Sequence, residues 1–291
     1  MSSKKALISG VTGQDGAYLA KLLLSKGYKV FGTFRRTSTP NFWRLQYTDV
    51  YSKINLIPAD LTDMGSLINA MKISDPDEVY NMAAMSFVRT AFEQPVGNSH
   101  STGTAVTRFL ESIKSINPNV KFYQASSSEM FGNSNVDFQN EQTPFSPASP
   151  YAAAKLYAHW ITKIYQEAYD MFAVSGILFN HESPIRGLEF VTRKITNAAA
   201  QIKLGLKKDI SIGNLQSKRD WGYAPEYMEA IYLMMQQDKP ETYVVSTGET
   251  YSVEELARVS FEILNLDWKD YVKTDEKYFR PLDINPVSYT H

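Results

Sequence analysis

Lys5-Ala-Leu-Ile-Ser9, Gly10-Val-Thr-Gly13-Gln-Asp-Gly16 and Ala17-Tyr-Leu-Ala-Lys-Leu-Leu-Leu24 follow one another without a gap near the start of the chain. The first piece is a short apolar run ending at a glycine and reads as a buried strand. The third has the apolar spacing of a helix. Between them, small residues let the backbone turn tightly and approach a pyrophosphate, whose charge then meets the helix N-terminus. The spacing is GxxGxxG rather than the GxGxxG of the dinucleotide fingerprint, so its weight comes from its place between strand and helix. An ordinary glycine-rich βα turn is the alternative. Gly10, Thr12, Gly13, Gln14, Asp15 and Gly16 are the candidate phosphate-loop residues.

The strand–helix unit repeats. Tyr28–Phe34, Ile54–Asp60, Asp77–Ala83 and Val120–Ser126 are further strand candidates, rich in β-branched or aromatic residues. Helical stretches near 62–73 and 101–116 lie between them, and Ala105, Phe109, Leu110 and Ile113 mark one apolar face of the second. A repeat of this period predicts a parallel sheet with helices on both faces. A long helix is predicted over 150–171 and a strand over 173–179. After Arg186 the pattern loosens into loops, short strands and helical stretches near 190–204, 225–237 and 253–264. The expected fold class is α/β: a doubly wound parallel sheet of the Rossmann type over residues 1–185, which holds the cofactor and the catalytic residues. A smaller C-terminal α/β substrate lobe is expected over 186–291, with some segments returning to the first domain.

Composition narrows the chemistry. The 291 residues include no cysteine, which excludes disulfides, thiolate nucleophiles, Fe–S clusters and Cys-ligated zinc. Only His100, His159, His181 and His291 occur, with no HxxxH pair, so no metal is expected. Thirty Lys plus Arg against thirty-one Asp plus Glu leave a net charge of −1, which offers no footprint for nucleic acid or an anionic membrane. No apolar run approaches the ~18 residues of a membrane span. The N-terminal run breaks at Gly10 and no A-x-A site follows, so a first strand, not a signal peptide, is expected, in a cytoplasmic protein.

The second strand candidate ends in Phe34-Arg-Arg-Thr-Ser-Thr39. A carboxylate there would bind a ribose 2′-hydroxyl; Arg35 and Arg36 instead suit a 2′-phosphate, hence NADP. Two solvated surface arginines are the alternative. Asp60, with Leu61, sits where a carboxylate could accept an adenine amino hydrogen, or could equally cap the next helix.

Tyr151-Ala-Ala-Ala-Lys155 lies at the start of the long helix, where residues four apart share a face. A nearby cation is expected to lower the phenol pKa and make Tyr151 a proton acceptor from a sugar hydroxyl. Lys155 can also hold the ribose of a nicotinamide nucleotide. The strand ending Gln124-Ala-Ser-Ser-Ser-Glu129 brings hydroxyls to the carboxyl edge of the sheet, where ligands bind. Glu129 adds a second acid–base group that a simple dehydrogenase would not need.

These residues carry a resemblance that covers Ala6 to about Asp283. With GQDG and FRRTST, the strings Phe92-Glu-Gln-Pro95, FNHESP (179–184), FVTRKIT (190–196), GNLQSKRDWG (213–222) and KYFRP (277–281) are similar to the GDP-mannose 4,6-dehydratase family of extended short-chain dehydrogenases/reductases. The resemblance implies NADP as cofactor, GDP-mannose or a related GDP-hexose as substrate, and a homodimer or homotetramer. It implies Ser127 at the family's catalytic threonine position, with Glu129, Tyr151 and Lys155. It assigns cofactor contacts to His181, Arg186 and the stretch Met82–Ser86, including Ala83, Ala84 and Ser86. Substrate contacts fall on Ser86, Asn180, Lys194, Arg219 and Arg280. The family string AAQSHV reads Ala83-Ala-Met-Ser-Phe-Val88 here, a tyrosine expected near the cofactor is Gly97, and a glutamate expected at the guanosine ribose is Asp283. The family continues for several tens of residues past the FRP string, so this chain is expected to be truncated. A nucleotide-sugar 4-reductase or epimerase on the same scaffold is the alternative activity, because related reductases carry a comparable Ser-Ser-Glu string. The Met85 and Phe87 replacements raise a third, a non-catalytic NADP-binding protein, against which the retained Ser127, Glu129, Tyr151 and Lys155 weigh.

Overall fold

In Lys5–Ser9 every residue after the first is buried, as a central parallel strand requires, and Leu7 and Ile8 point to opposite faces. The computed structural model describes residues 3–279 apart from Asn135 and Asp137. In chain order the elements are β1 (Lys5–Ser9), α1 (Gln14–Ser25), β2 (Lys29–Phe34), α2 (Trp43–Tyr47), β3 (Asn55–Pro58), α3 (Met64–Ser74) and β4 (Glu78–Asn81). Then come α4 (Val88–Glu93), α5 (Pro95–Asn98), a π turn (Ser99–Gly103), α6 (Thr104–Ile116), β5 (Lys121–Ser127), α7 (Pro150–Tyr169) and β6 (Ala173–Leu178). The rest comprises β7 (Asn180–Glu182), α8 (Val191–Lys203), β8 (Ile210–Ile212), β9 (Lys218–Arg219), β10 (Trp221–Tyr223), α9 (Ala224–Met235), β11 (Thr242–Val245), β12 (Tyr251–Ser252), α10 (Val253–Glu262) and β13 (Val272–Thr274).

Seven strands form one parallel sheet in the order β3-β2-β1-β4-β5-β6-β11. The order reverses between β1 and β4, so the carboxyl ends of these two strands diverge and open a crevice. A polar ladder crosses beneath it. Ser9 Oγ donates to Asn81 Oδ1 (2.5 Å), and Asn81 Nδ2 donates to Gln124 Oε1 (2.8 Å).

One face of the sheet packs Leu19 and Leu23 of α1 with Met228, Ile231 and Met235 of α9. The other packs Leu67, Phe109 and Ala158 from α3, α6 and α7 over Leu7, Val79 and Phe122. Each fully buried leucine or isoleucine contributes about 1.5–3 kcal/mol. A separate core joins Ile195, Ala198 and Ile202 of α8 to Ala257 and Phe261 of α10 and to Ile210 and Ile212 of β8.

Local chemistry sets the element ends. The helix expected over 62–73 starts at Met64, because Asp63 is its cap and accepts from Gly65 N at 3.0 Å. Ser149 caps α7 through Ala152 N (3.0 Å), Pro150 takes the first turn, and Asp170 ends the helix in the left-handed region at φ 51°. The edge strand β11 has no counterpart among the strand candidates of the sequence. Among the described residues no helix is long and apolar enough to cross a membrane.

Candidate active site

The carboxyl ends of β1, β4, β5 and β6 open onto a cleft of about 750 Å³, closed on the far side by α8 and the segment after β13. At its floor lies the glycine loop. Gly10 has φ 68°, and a Cβ there would stand 2.8 Å from Ala83 Cα; one on Gly16 would stand 2.5 Å from the Gly10 carbonyl oxygen. Only glycine fits either position. Helix α1 begins after Gly13 without a side-chain cap, which leaves its first-turn N–H groups to a ligand. A cradle that a Cβ would fill, at a helix N-terminus, fits a dinucleotide pyrophosphate.

Asp15 and His181 pair across this floor, with Oδ2 and Nε2 3.0 Å apart. Gln14, itself buried, donates to Asp15 Oδ1 (2.9 Å) and to the His181 carbonyl (3.1 Å), and accepts from Ser183 Oγ (2.7 Å). Burial pushes the Asp15 carboxyl up, but the His181 imidazole and the Arg186 guanidinium outweigh it and hold it well below the carboxylate range. Burial likewise depresses His181, and Asp15 reverses the sign, leaving it raised.

The wall above is built by α7 and the end of β5. Lys155 is 4% exposed and donates from Nζ to the Ala125 carbonyl at 2.7 Å, 5.7 Å from the Tyr151 ring centroid. Burial lowers its pKa to about 8, against the pull of Asp15. Tyr151 departs from expectation: its phenol is pushed well above the usual value. Burial dominates, Ser127 pulls down through a side-chain hydrogen bond, and Glu129 pushes up. The cation that was expected to lower the phenol is itself desolvated and committed to a carbonyl. Glu129 sits half-buried in the turn after β5, its N–H donating to Ser127 Oγ at 3.3 Å.

The opposite end of the cleft is cationic. Tyr278 is surrounded by Lys194 Nζ at 3.8 Å, Lys277 Nζ at 4.9 Å and the Arg89 guanidinium at 5.9 Å from its ring centroid. Lys194 is lowered by burial and then by the like charges of Lys207, Arg89 and Lys277. Such crowding is relieved by an anion. Arg186 pairs with Glu182 (3.3 Å) and lies 3.6 Å over the Phe190 ring, which meets Phe87 edge-on at 5.6 Å.

Of the residues singled out in the sequence, Gly10, Thr12, Gly13, Gln14, Asp15, Gly16, Ala83, Ala84 and Ser86 line the cleft. So do Ser127, Glu129, Tyr151, Lys155, Asn180, His181, Arg186, Lys194 and Arg219. Arg35 and Arg36 are exposed past the end of β2, and Asp60 and Leu61 follow β3; all four stand outside the lining. Asp60 is not a helix cap: Oδ1 accepts from Thr62 N (2.8 Å) and Thr62 Oγ1 (2.7 Å) in a turn ahead of the Asp63 cap. Arg280 and Asp283 lie outside the described residues. Phe87 lines the cleft, whereas Met85 is held by its backbone, through Thr102 Oγ1 (3.1 Å) and Asn98 Nδ2 (3.0 Å). Sequence reasoning missed Arg89, Phe190, Lys277 and Tyr278, although three of them fall within the strings FVTRKIT and KYFRP.

Residues 7–289 match the family described as GDP-mannose 4,6 dehydratase. The chain is 51% identical to GDP-mannose 4,6 dehydratase 2 of Arabidopsis thaliana, over 97% of this chain and 78% of that protein. It is 44% identical to the Homo sapiens GDP-mannose 4,6 dehydratase, over 96% of this chain and 82% of that one. Among solved structures, a dTDP-glucose 4,6-dehydratase from Bacillus anthracis in complex with NAD superposes with a TM-score of 0.84 at 19% identity, covering 99% of this chain and 87% of that one. That likeness confirms the α/β doubly wound fold. With a sequence match over nearly its whole length, the chain belongs to the GDP-mannose 4,6 dehydratase family.

Proposed function

We propose that this protein is a nucleotide-sugar 4,6-dehydratase that converts GDP-mannose to GDP-4-keto-6-deoxy-mannose with NADP as cofactor. The observation that carries the reading is that Glu129 and Tyr151 line one cleft with Ser127 and Lys155. Two acid–base groups are what an elimination added to an alcohol oxidation requires. Family membership supports the substrate, and the cationic end around Tyr278 supports a diphosphate ligand.

Gly10, Gly13 and Gly16 with the α1 N-terminus hold the dinucleotide pyrophosphate, and Lys155 holds the nicotinamide ribose. Ala83, Ala84, Ser86, His181 and Arg186 complete that half of the cleft. Arg35 and Arg36 take the 2′-phosphate that distinguishes NADP from NAD, and Asp60 with Leu61 borders the adenine. Bound NADP supplies a hydride acceptor for C4 and a hydride donor for C6. Tyr151 Oη would take the proton of the C4 hydroxyl once the positive charge of a bound oxidised nicotinamide offsets the desolvation that raises the phenol, and Ser127 orients that hydroxyl. The resulting 4-keto group acidifies C5–H, whose proton passes to the Glu129 carboxylate. Glu129 then protonates the C6 hydroxyl as it leaves as water; the hydride taken from C4 would return to C6 while C5 regains a proton from solvent, so no net redox change occurs. Asn180, Lys194 and Arg219 orient the nucleotide sugar, with Ser86 at the sugar and Arg280 in the same set. The exposed aromatic face of α7, with Tyr157 and Trp160, suits a homodimer or homotetramer, and a cytoplasmic location completes the reading.

The test is incubation of purified protein with GDP-mannose in heavy water, without added coenzyme, followed by mass spectrometry and NMR. Loss of one water with one solvent deuteron at C5 is the expected result. Stoichiometric consumption of added NADPH would instead establish the 4-reductase, inversion without water loss the epimerase, and an unchanged substrate would overturn the reading.

A further inference from the structure

Three successive turns of α7 are tied to three successive residues of β5. Ser127 is hydrogen-bonded to the Tyr151 phenol, the Ala125 carbonyl accepts from Lys155 Nζ at 2.7 Å, and Ser126 Oγ meets His159 Nδ1 at 3.1 Å. Residues 151, 155 and 159 recur every four positions and so share one helix face. The first two ties contain the groups assigned to the chemistry. The third does not, yet it is as buried: Ser126 and His159 are each 4% exposed.

The surroundings of His159 fix its direction. Its ring meets Phe145 edge-on at 5.3 Å and Trp160 at 5.8 Å. Phe145 in turn stacks on Phe131 at 5.4 Å, directly after the turn that carries Glu129. The imidazole therefore stands between the strand end that presents Ser127 and the aromatic support of the Glu129 turn. A side chain that only filled this space would need no nitrogen facing Ser126. A buried hydroxyl and ring nitrogen in mutual contact specify one height of β5 against α7, because any slip leaves both unpaired.

We propose that His159 is a positioning residue of the active site: by holding Ser126 it sets the height of the β5 end against α7, and with it the spacing of Ser127, Tyr151 and Lys155. This inference rests on the dehydratase reading for its kinetics but not for its geometry.

The test compares His159→Phe, which keeps the aromatic packing and loses the nitrogens, with His159→Asn, which keeps a polar group near the Nδ1 position, and Ser126→Ala. In the intact enzyme with GDP-mannose, His159→Phe is expected to lower kcat by about tenfold or more with KM within about twofold, and to lower Tm by only a few degrees, so that the enzyme stays folded at the assay temperature. His159→Asn is expected to recover most of that loss, and the His159→Phe/Ser126→Ala double variant to be no slower than His159→Phe alone. A wild-type kcat in His159→Phe, a loss that tracks Tm in every variant, or fully multiplicative single effects overturns the proposal. Should His159→Phe not fold, an unaltered kcat in Ser126→Ala overturns it. Failure of the dehydratase reading looks different: the wild type then leaves GDP-mannose intact, and crystal structures of wild type and His159→Phe decide the geometry. An unshifted Ser127–Tyr151 spacing in that pair also overturns the positioning role, and a displaced one supports it.

Discussion

Asp15 and His181 face each other at 3.0 Å, one at the start of α1 and the other in β7. The second imidazole nitrogen donates to the Phe179 carbonyl at 2.7 Å, and the ring stacks on Tyr227 of α9 at 4.6 Å. One histidine thus joins the glycine loop, the strand beyond β6 and a helix some forty residues later in the chain.

This pair makes stability depend on pH in a defined direction. Asp15 is depressed, so its contribution is present above the ordinary carboxylate range and is lost as pH falls through its lowered value. His181 is raised, so its contribution is complete below about pH 6.5 and is lost as pH rises through its folded value. Asp15→Asn is therefore expected to destabilise by about 3 kcal/mol at mildly acidic pH, where His181 is charged, and by less at mildly alkaline pH. Chemical denaturation at both values measures the gap; equal gaps would refute the ion pair.

Lys155 titrates at about 8, with Asp15 opposing the effect of burial. In the proposed role the ammonium form donates to ligand ribose hydroxyls, so kcat/KM is expected to fall on the alkaline side as pH passes about 8. Removing the Asp15 charge withdraws the support of the ammonium, and Asp15→Asn is expected to move this limb to lower pH. A limb that stays in place, or moves up, would separate it from Lys155.

In the proposed mechanism Glu129 carries the elimination and not the oxidation. Glu129→Gln is expected to cut turnover by about 10²- to 10⁴-fold while cofactor affinity stays unchanged. Reduced nicotinamide should accumulate on the protein after GDP-mannose is added, visible by its absorbance. Normal turnover in this variant would reassign the C5 proton to another group.

Arg35 is near enough to Asp60 to help hold its carboxyl down, after the Thr62 hydrogen bonds. An arginine beside a carboxylate at the ends of β2 and β3 makes a mixed-charge rim outside the main cleft. Arg35→Ala/Arg36→Ala is expected to weaken NADP by about tenfold or more and to leave NAD affinity within about twofold. Calorimetric titration with both nucleotides reads this directly; equal weakening would remove the 2′-phosphate assignment.

The strands β1, β2, β4, β5 and β6 were legible because strands buried in the sheet interior read as continuous apolar runs, whereas β3, at the sheet edge with Ile57 alone buried, was legible from its short Ile-x-Leu-Ile stretch. Tyr151 and Lys155 were legible because four residues of helix bring them together. The short strand β11 was not: Tyr243 and Val245 are only half-buried at the sheet edge, and β6 alone gives it a register. Nor was the cluster around Tyr278, since α4, α8 and the turn after β13 bring its cations from nearly two hundred residues apart. The phenol of Tyr151 misled for another reason: sequence shows the neighbouring ammonium but not the desolvation that outweighs it.

The route of the chain through α9 and β11 has a mechanical consequence. After β6 the backbone goes out to α8, comes back to pack α9 on α1 and to add β11 to the sheet, and leaves again for α10. Three covalent spans therefore bridge the two cores, where one would suffice to tether them. A single tether lets two bodies swivel freely; three limit how far they can turn or separate independently. A protease nick in any one span cuts the chain in two, and the pieces then stay together through the packing of α9 on α1, β11 on β6 or α10 on α8. Such a nick, at the exposed Leu188 for example, is expected to loosen the two cores without releasing a fragment.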